Sequence, residues 1–283
     1  MVDAERKGTL YVVATPIGNL EDITMRAVRI LAEVDFIVAE DTRHTRKLLN
    51  HYNIRKPLVS CFKDNEAASS KRILVDLLAG RSAALVSDAG TPAISDPGTI
   101  LVAKCRDHGI AVHPVPGPSA LTAALSISGL SAGAVSFFAF LPSRQAQRRK
   151  FLASVAQLEH QLVFYEAPRR LIQTLSDCYD ILGDRSIFVA REITKIHEEA
   201  LAGPLSTVIS SLGARDTVKG ECVIIISPAN TPASSLPDDL AELLCWYRDN
   251  SELSMKDAVK KVASDLNLSR SLVYREALAL WRQ

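Results

Sequence analysis

Five short runs rich in small and β-branched apolar residues, at Thr9–Ala14, Phe36–Ala39, Leu58–Cys61, Ala83–Ser87 and Ile110–Val115, are separated by stretches of helical periodicity. The intervening helices are predicted at Thr24–Ala32, Thr42–His51, Glu66–Ala79 and Thr99–Asp107, with Thr24 as an N-cap and Gly80 as a C-terminal stop. Parallel strands need a long crossover, normally a helix, so strict alternation predicts an α/β sheet whose strands run one way.

A second α/β segment follows from Ser119 to about Pro228, with strands predicted at Val135–Phe140, Leu162–Glu166, Ser186–Arg191, Glu198–Gly203 and Glu221–Ser227. Helices are expected at Arg144–Gln157, Arg169–Ile181 and Leu205–Leu212. Its later strands follow one another too closely for helical crossovers, which predicts a mixed sheet. Ser227–Pro237 then has the proline-rich, polar composition of a linker. Strand signals end there, and three helices are predicted at Asp238–Arg248, Met255–Leu266 and Arg270–Arg282, the last two capped by Ser254 and Ser269. The tight turn Leu266–Ser269 gives this tail a helix-turn-helix outline, which a plain three-helix packing module would share. The expected domains are 1–117, 118–230 and 236–283.

Bulk properties remove several classes. A hydrophobic fraction of 47% with 23% charged residues is that of a folded globular chain, and the net charge of +1 selects no partner by itself. The five cysteines never approach CxxC spacing and no HExxH surrounds the histidines, so neither structural zinc nor a disulfide framework is expected, and no metal is assigned. Gly109–Ser143 contains no Asp, Glu, Lys or Arg, but its prolines and glycines forbid one spanning helix. It reads as buried strand, loop, helix and strand, in a cytoplasmic protein with no membrane association.

Three loops have the residue types of ligand sites. Thr15-Pro16-Ile17-Gly18-Asn19 follows the first strand; Asp88-Ala89-Gly90-Thr91-Pro92-Ala93-Ile94-Ser95-Asp96-Pro97-Gly98 follows the fourth; Pro116-Gly117-Pro118-Ser119-Ala120 follows the fifth and opens a helix. Proline and glycine stiffen such turns and let backbone amides approach a small polar ligand, and carboxyl ends of strands in open α/β sheets are where ligands bind. Each also has a plain structural reading: a strand-to-helix turn, a rigid loop with Asp88 and Asp96 as caps, and a helix capped by Ser119. All three at one sheet edge favour a site. There is no GxG and no GxxxxGK[ST], which argues against dinucleotide and P-loop chemistry.

Basic residues gather at Arg43, Arg46 and Lys47, at Arg144, Arg148, Arg149 and Lys150, at Arg169 and Arg170, and along the tail at Lys256, Lys260, Lys261, Arg270, Arg275 and Arg282. Such clusters could neutralise nucleic-acid phosphates or simply be solvated helix faces.

Taken together, Val12–Leu20, Ala39–Arg43, Ser87–Gly98, Pro116–Ala120 and Phe164–Arg170 resemble the RsmI (YraL) family, small-subunit (16S) ribosomal RNA cytidine 2'-O-methyltransferases on the tetrapyrrole-methylase fold. The likeness spans residues 8 to about 230. It implies two α/β domains, a homodimer, a 16S rRNA or small-subunit substrate, and S-adenosylmethionine (SAM) between the domains. Cofactor contacts are then expected from Pro16, Asp88, Ala89, Gly90, Thr91, Pro92, Ile94, Ser119, Ala120, Tyr165, Glu166, Ala167 and Pro168. RNA contacts are expected from Arg43, Arg144, Arg148, Arg149, Lys150, Arg169 and Arg170. Glu40, Asp41 and Asp88 are candidate proton acceptors or orienters, with Arg43 placing a phosphate. The rival readings are a tetrapyrrole C-methyltransferase, which the same fold supports, and a nucleic-acid-binding regulator whose α/β body senses a metabolite.

Overall fold

In the computed structural model, residues 7–130, 133–215, 217–229, 240–266 and 268–281 are described. The chain divides into two compact units, Met1–Ala229 and Asn230–Gln283.

The first unit begins with β1 (Thr9–Val13), α1 (Met25–Glu33), β2 (Phe36–Ala39), α2 (Thr42–His51), β3 (Leu58–Ser60), α3 (Glu66–Leu78), β4 (Ala83–Val86), α4 (Thr99–Asp107) and β5 (Ala111–Val115). The strands form one sheet in the order β3-β2-β4-β1-β5, parallel throughout. Side chains on one face pack with α1 and α2 through Ile30, Leu31 and Leu49, and on the other with α3 and α4 through Ile73, Leu77, Leu101 and Cys105. From β1 the chain crosses towards β2, whereas from β4 it crosses to β5. The crevice at their carboxyl ends is therefore the topological switch point, where such sheets hold ligands. Local signals behave as expected: Thr24 Oγ1 accepts the Ala27 N–H at 3.1 Å, and Gly80 turns the chain after α3 with φ +86°.

The second sheet comprises β6 (Val135–Phe140), β7 (Gln161–Glu166), β8 (Ser186–Arg191), β9 (Glu199–Pro204) and β10 (Cys222–Ile226), in the order β6-β7-β10-β8-β9. Only β6 and β7 are parallel; the other pairs are antiparallel. This is the mixed sheet. Helices α6 (Gln145–Val155), α7 (Leu171–Leu182) and α8 (Leu205–Gly213) cover one face, meeting Phe164, Ile224 and Ile226. The opposite face, with Val163, Phe188, Val223 and Ile225, receives α5 (Ala120–Ile127). Alternation along β10 sends its side chains to both faces by turns, so all five are buried.

Two expectations need correction. The charge-free strands β5 and β6 are not buried: both lie at sheet edges, with Ala111, His113, Pro114, Val135 and Phe140 exposed. An edge has no second neighbour to cover it, and Pro114, which cannot donate to a ladder, is tolerated there. The helix expected from Arg169 opens instead with a 3-10 turn, Pro168–Arg170, before α7.

The second unit holds α9 (Leu240–Asn250), α10 (Met255–Asp265) and α11 (Arg270–Leu280), with a core of Leu243, Leu244, Tyr247, Val259, Val262, Val273 and Ala277. Ser254 and Ser269 cap α10 and α11 by accepting the N–H of Asp257 and Leu272. The expected tail residues Asp238, Asn267 and Arg282 lie outside the described residues. Among the described residues, no helix is long and apolar enough to cross a membrane.

Candidate active site

The three loops meet at the switch point through backbone bonds. Thr15 and Gly90 exchange N–H···O=C bonds of 2.9 and 3.0 Å, and Thr15 Oγ1 donates to Ser87 O at 3.1 Å. Thr91 Oγ1 reaches Pro118 O at 3.4 Å. The Ser87–Gly98 loop can follow this path because Gly90 and Gly98 adopt φ of +79° and +130°; a Cβ at Gly98 would also lie 2.6 Å from Leu85 Cδ2. Its far end is held by the buried Glu66, whose Oε1 accepts the N–H groups of Gly98 (2.9 Å) and Ile100 (2.8 Å) at the start of α4.

The second sheet supplies the facing wall, on the side left partly open by α5. Tyr165, Cys222, Val223 and Ile193 line it, together with Phe140 at the end of β6. A register shift between Phe137 and Phe140, with Ala139 at φ +53°, bends β6 before Phe140. The two walls touch where Gly18 approaches the 193–195 turn. A Cβ there would stand 2.5 Å from Lys195 Cγ, and Asn19 N–H donates to Thr194 Oγ1 at 3.1 Å. Between the walls is a cleft of about 400 Å³. Among the described residues, five non-glycine residues have positive φ: Ala93, Ala139, Glu192 and Thr194 lie in segments that border the cleft, and Asn53 lies elsewhere. Unfavourable backbone of this kind concentrates at functional sites.

Glu40, Asp88 and Asp96 line the loop side of the cleft, and Glu166 and Glu221 the facing side. Burial pushes the Glu40 carboxyl above the ordinary range, and the negative charges of Asp96 and Asp88 push it further. Burial likewise raises Asp96, with the Ser87 hydroxyl opposing and Asp88 adding. Asp88 Oδ1 accepts the Asp41 N–H at 3.1 Å, fixing its direction. Burial also raises the Tyr165 phenol on the facing wall. Among the described residues, no group of three or more His, Cys, Asp or Glu side chains is arranged to hold a metal ion. The cleft thus offers negative charge, exposed backbone groups and an apolar wall, a combination suited to a small cationic ligand with a flat apolar part.

Of the residues expected at the cofactor, Asp88, Ala89, Gly90, Thr91, Ile94, Ser119, Ala120, Tyr165, Glu166, Ala167 and Pro168 line this cleft. Pro16 and Pro92 do not; both are buried and serve to shape the turns. Ser119 sits at the N-cap position of α5 but makes no capping bond. The Glu166 carboxylate is tied to Ala167 N–H, Arg170 and Thr174 Oγ1, so it braces the β7–α7 junction. Glu40 is in the cleft. Asp41 and Arg43 are not: Asp41 caps α2 and binds the Arg43 guanidinium, whose hydrogen bonds hold the Asp41 carboxyl at about 2, a poor proton acceptor.

Two of the four residues in the basic cluster at α6, Arg148 and Arg149, are held in ion pairs. Arg148 is 1% exposed, and its Nε donates to Asp177 Oδ2 at 2.8 Å. Its Nη2 lies 2.7 Å from the same oxygen without hydrogen-bond alignment. An RNA phosphate cannot reach it. Arg149 pairs with Asp177 and Asp180, and Arg170 donates to Leu141 O, Pro142 O and Glu166. Arg43, Arg144, Lys150 and Arg169 remain exposed. Ile17, Ser95, Asp96, Phe140, Ile193 and Glu221 to Val223 also line the cleft, beyond the residues expected there.

The family model for Tetrapyrrole (Corrin/Porphyrin) Methylases matches residues 9–209. A protein of Halalkalibacterium halodurans named ribosomal RNA small subunit methyltransferase I is 44% identical over 280 residues, covering 95% of this chain and 94% of that one. One of the same name from Thermotoga maritima is 49% identical over 220 residues, covering 78% of this chain and 98% of that one. Among solved structures, the methyltransferase CobJ superposes with a TM-score of 0.59 at 18% identity, covering 78% of this chain and 95% of that one. The uroporphyrin-III C-methyl transferase of Thermus thermophilus complexed with S-adenyl homocysteine gives 0.54 at 20% identity, covering 77% and 97%. At these identities the two structures establish the shared fold.

Proposed function

Because the chain belongs to the ribosomal RNA small subunit methyltransferase I family, within the tetrapyrrole methylases, we propose that its cleft binds SAM and serves methylation of a cytidine ribose 2'-oxygen in 16S rRNA. The observation that carries this is the meeting of Glu40, Asp88 and Asp96 with the Gly90 loop opposite an apolar wall. SAM supplies an activated methyl group on a sulfonium. The residues present fit it: backbone groups of Asp88–Thr91 and the start of α5 suit its amino-acid end, the carboxylates suit its positive charges, and the Val223 and Ala120 surface suits its adenine. The chain's own tasks are to align the acceptor hydroxyl and to accept its proton, and Glu40, its carboxyl raised by burial and by Asp96 and Asp88, is the acceptor in this reading.

Residues 1–117 and 118–230 are taken as the two α/β domains, with the Pro116–Ser119 turn between them. A homodimer is part of the same reading, and exposed Ile127 and Val135 in the charge-free segment give it an apolar surface. A cytoplasmic location follows from the substrate. The test is transfer from methyl-labelled SAM to 16S rRNA or the small subunit, followed by nuclease digestion and mass spectrometry. The expected product is 2'-O-methylcytidine; label on a base atom, or only on an added uroporphyrinogen, would overturn the assignment.

The carboxylates also set a pH dependence. Glu40 and Asp96 are raised, so the stability they contribute is complete below their unfolded pKa values and is lost as pH rises through the folded ones. A bound cation reverses that penalty. SAM affinity is therefore expected to weaken as pH falls through their raised range, with proton release on binding there. Calorimetry in two buffers of different ionisation enthalpy measures it, and S-adenosylhomocysteine, which lacks the sulfonium charge, should show a smaller effect.

A further inference from the structure

Two large apolar side chains at the cleft stand apart from its other large apolar lining residues. Phe140 and Ile94 are each 56% exposed, although the neighbouring lining residues Cys222 and Val223 are 3% exposed. They come from opposite walls, Ile94 from the loop after β4 and Phe140 from the end of β6. Each follows an alanine with positive φ, Ala93 at +64° and Ala139 at +53°. Neither alanine has a side chain that gains from this conformation, which L-residues rarely adopt. Its effect in both cases is to set the next side chain. Phe140 is further steadied by an edge-to-face contact with Tyr165, ring centroids 5.7 Å apart.

From this arrangement we infer that Phe140 is the stacking platform for the nucleobase of the acceptor nucleotide, with Ile94 as the apolar residue on the other wall. The inference rests on the reading of the cleft as an RNA methyltransferase site. The inner residues already provide an apolar surface for the cofactor's adenine, and a rim residue more than half exposed is left for the ligand that arrives from solvent. An A-form helix displays its 2'-hydroxyls on a wide, shallow minor groove, whereas a cleft walled on two sides fits a single unstacked nucleotide better than a paired helix. An unstacked base is held best against an aromatic face. Stacking tolerates any base, so Phe140 positions the nucleotide and leaves recognition of cytosine to polar groups.

The test uses the full-length protein, 16S rRNA substrate and saturating SAM. Phe140→Ala is expected to lower kcat/KM for RNA about 10-fold or more while SAM affinity by calorimetry stays within about two-fold. Phe140→Leu keeps apolar bulk without a ring and should remain impaired, whereas Phe140→Trp should restore activity. With a fluorescent cytidine analogue at the acceptor position, binding should quench emission in the unaltered protein and not in Phe140→Ala. Unchanged RNA kinetics in Phe140→Ala, full activity of Phe140→Leu, or a loss confined to SAM affinity would each overturn the stacking role. Absence of RNA methylation by the unaltered protein would instead overturn the reading of the cleft.

Discussion

Replacing Glu40 by glutamine is expected to slow single-turnover methyl transfer by about 10²- to 10⁴-fold, the usual contribution of a positioned acid or base. Glutamine keeps the shape and loses the proton-accepting oxygen. Glu40 is half-buried, and its carboxyl is raised by burial and by Asp96 and Asp88, so its basicity lies closer to working pH than that of Asp41. In the unaltered enzyme kcat/KM for SAM should rise with pH through this raised range, the bound cation shifting the limb of kcat to lower pH, and the Gln variant should lose both limbs. A variant with normal transfer but weakened SAM affinity would show that Glu40 holds the cofactor's charge and takes no proton.

Arg148→Ala should cost about 3–5 kcal/mol of stability, the typical cost of removing one partner of a buried ion pair. Both side chains are essentially inaccessible, at 1% and 2% exposure, and Arg148 also donates to Ser143 O at 3.2 Å. Burial pushes the Asp177 carboxyl up, but hydrogen bonds from Gln145, Arg149 and Arg148 outweigh it and hold the carboxyl below the ordinary range. A depressed carboxyl stabilises the fold above its unfolded pKa, and that stability is lost as pH falls through the folded value. Denaturant unfolding should therefore show Arg148→Ala as a large loss at neutral pH that narrows in acid. Replacing both partners together, Arg148→Met with Asp177→Leu, should recover most of it. If Arg148→Ala kept full stability and lost RNA affinity, the residue would be a surface contact after all.

Arg148 also shows where sequence reading runs out. Arg144, Arg148, Arg149 and Lys150 form a basic run on a helix, which in sequence is a solvated face or a phosphate patch. What buries Arg148 is Asp177, 29 residues away on α7. The parallel sheet was legible because each strand and each crossover carries its own local pattern. The three ligand loops were legible because proline and glycine mark them in sequence and the topology of a parallel sheet puts strand ends together. The facing wall was harder. Cys222 and Val223 sit in an all-buried run that reads only as core, and β10 reaches the cleft through its place between β7 and β8, a non-local pairing. Asp96 reads as a turn cap, and its carboxylate counts in the cleft because the loop folds back beside Asp88. Phe140 is one apolar residue among several in β6, and only the bend at Ala139 sets it apart.

The carboxylate of Glu66 bears on how this site could be transplanted. It fastens the distal end of the Ser87–Gly98 loop from 32 residues earlier in the chain, at the first turn of a different helix. Grafting that loop alone onto another α/β scaffold would carry its glycines and prolines but leave the Gly98 and Ile100 amides without their acceptor. A designer would have to move the start of α3 with it, so the smallest portable form of this site is discontinuous in sequence.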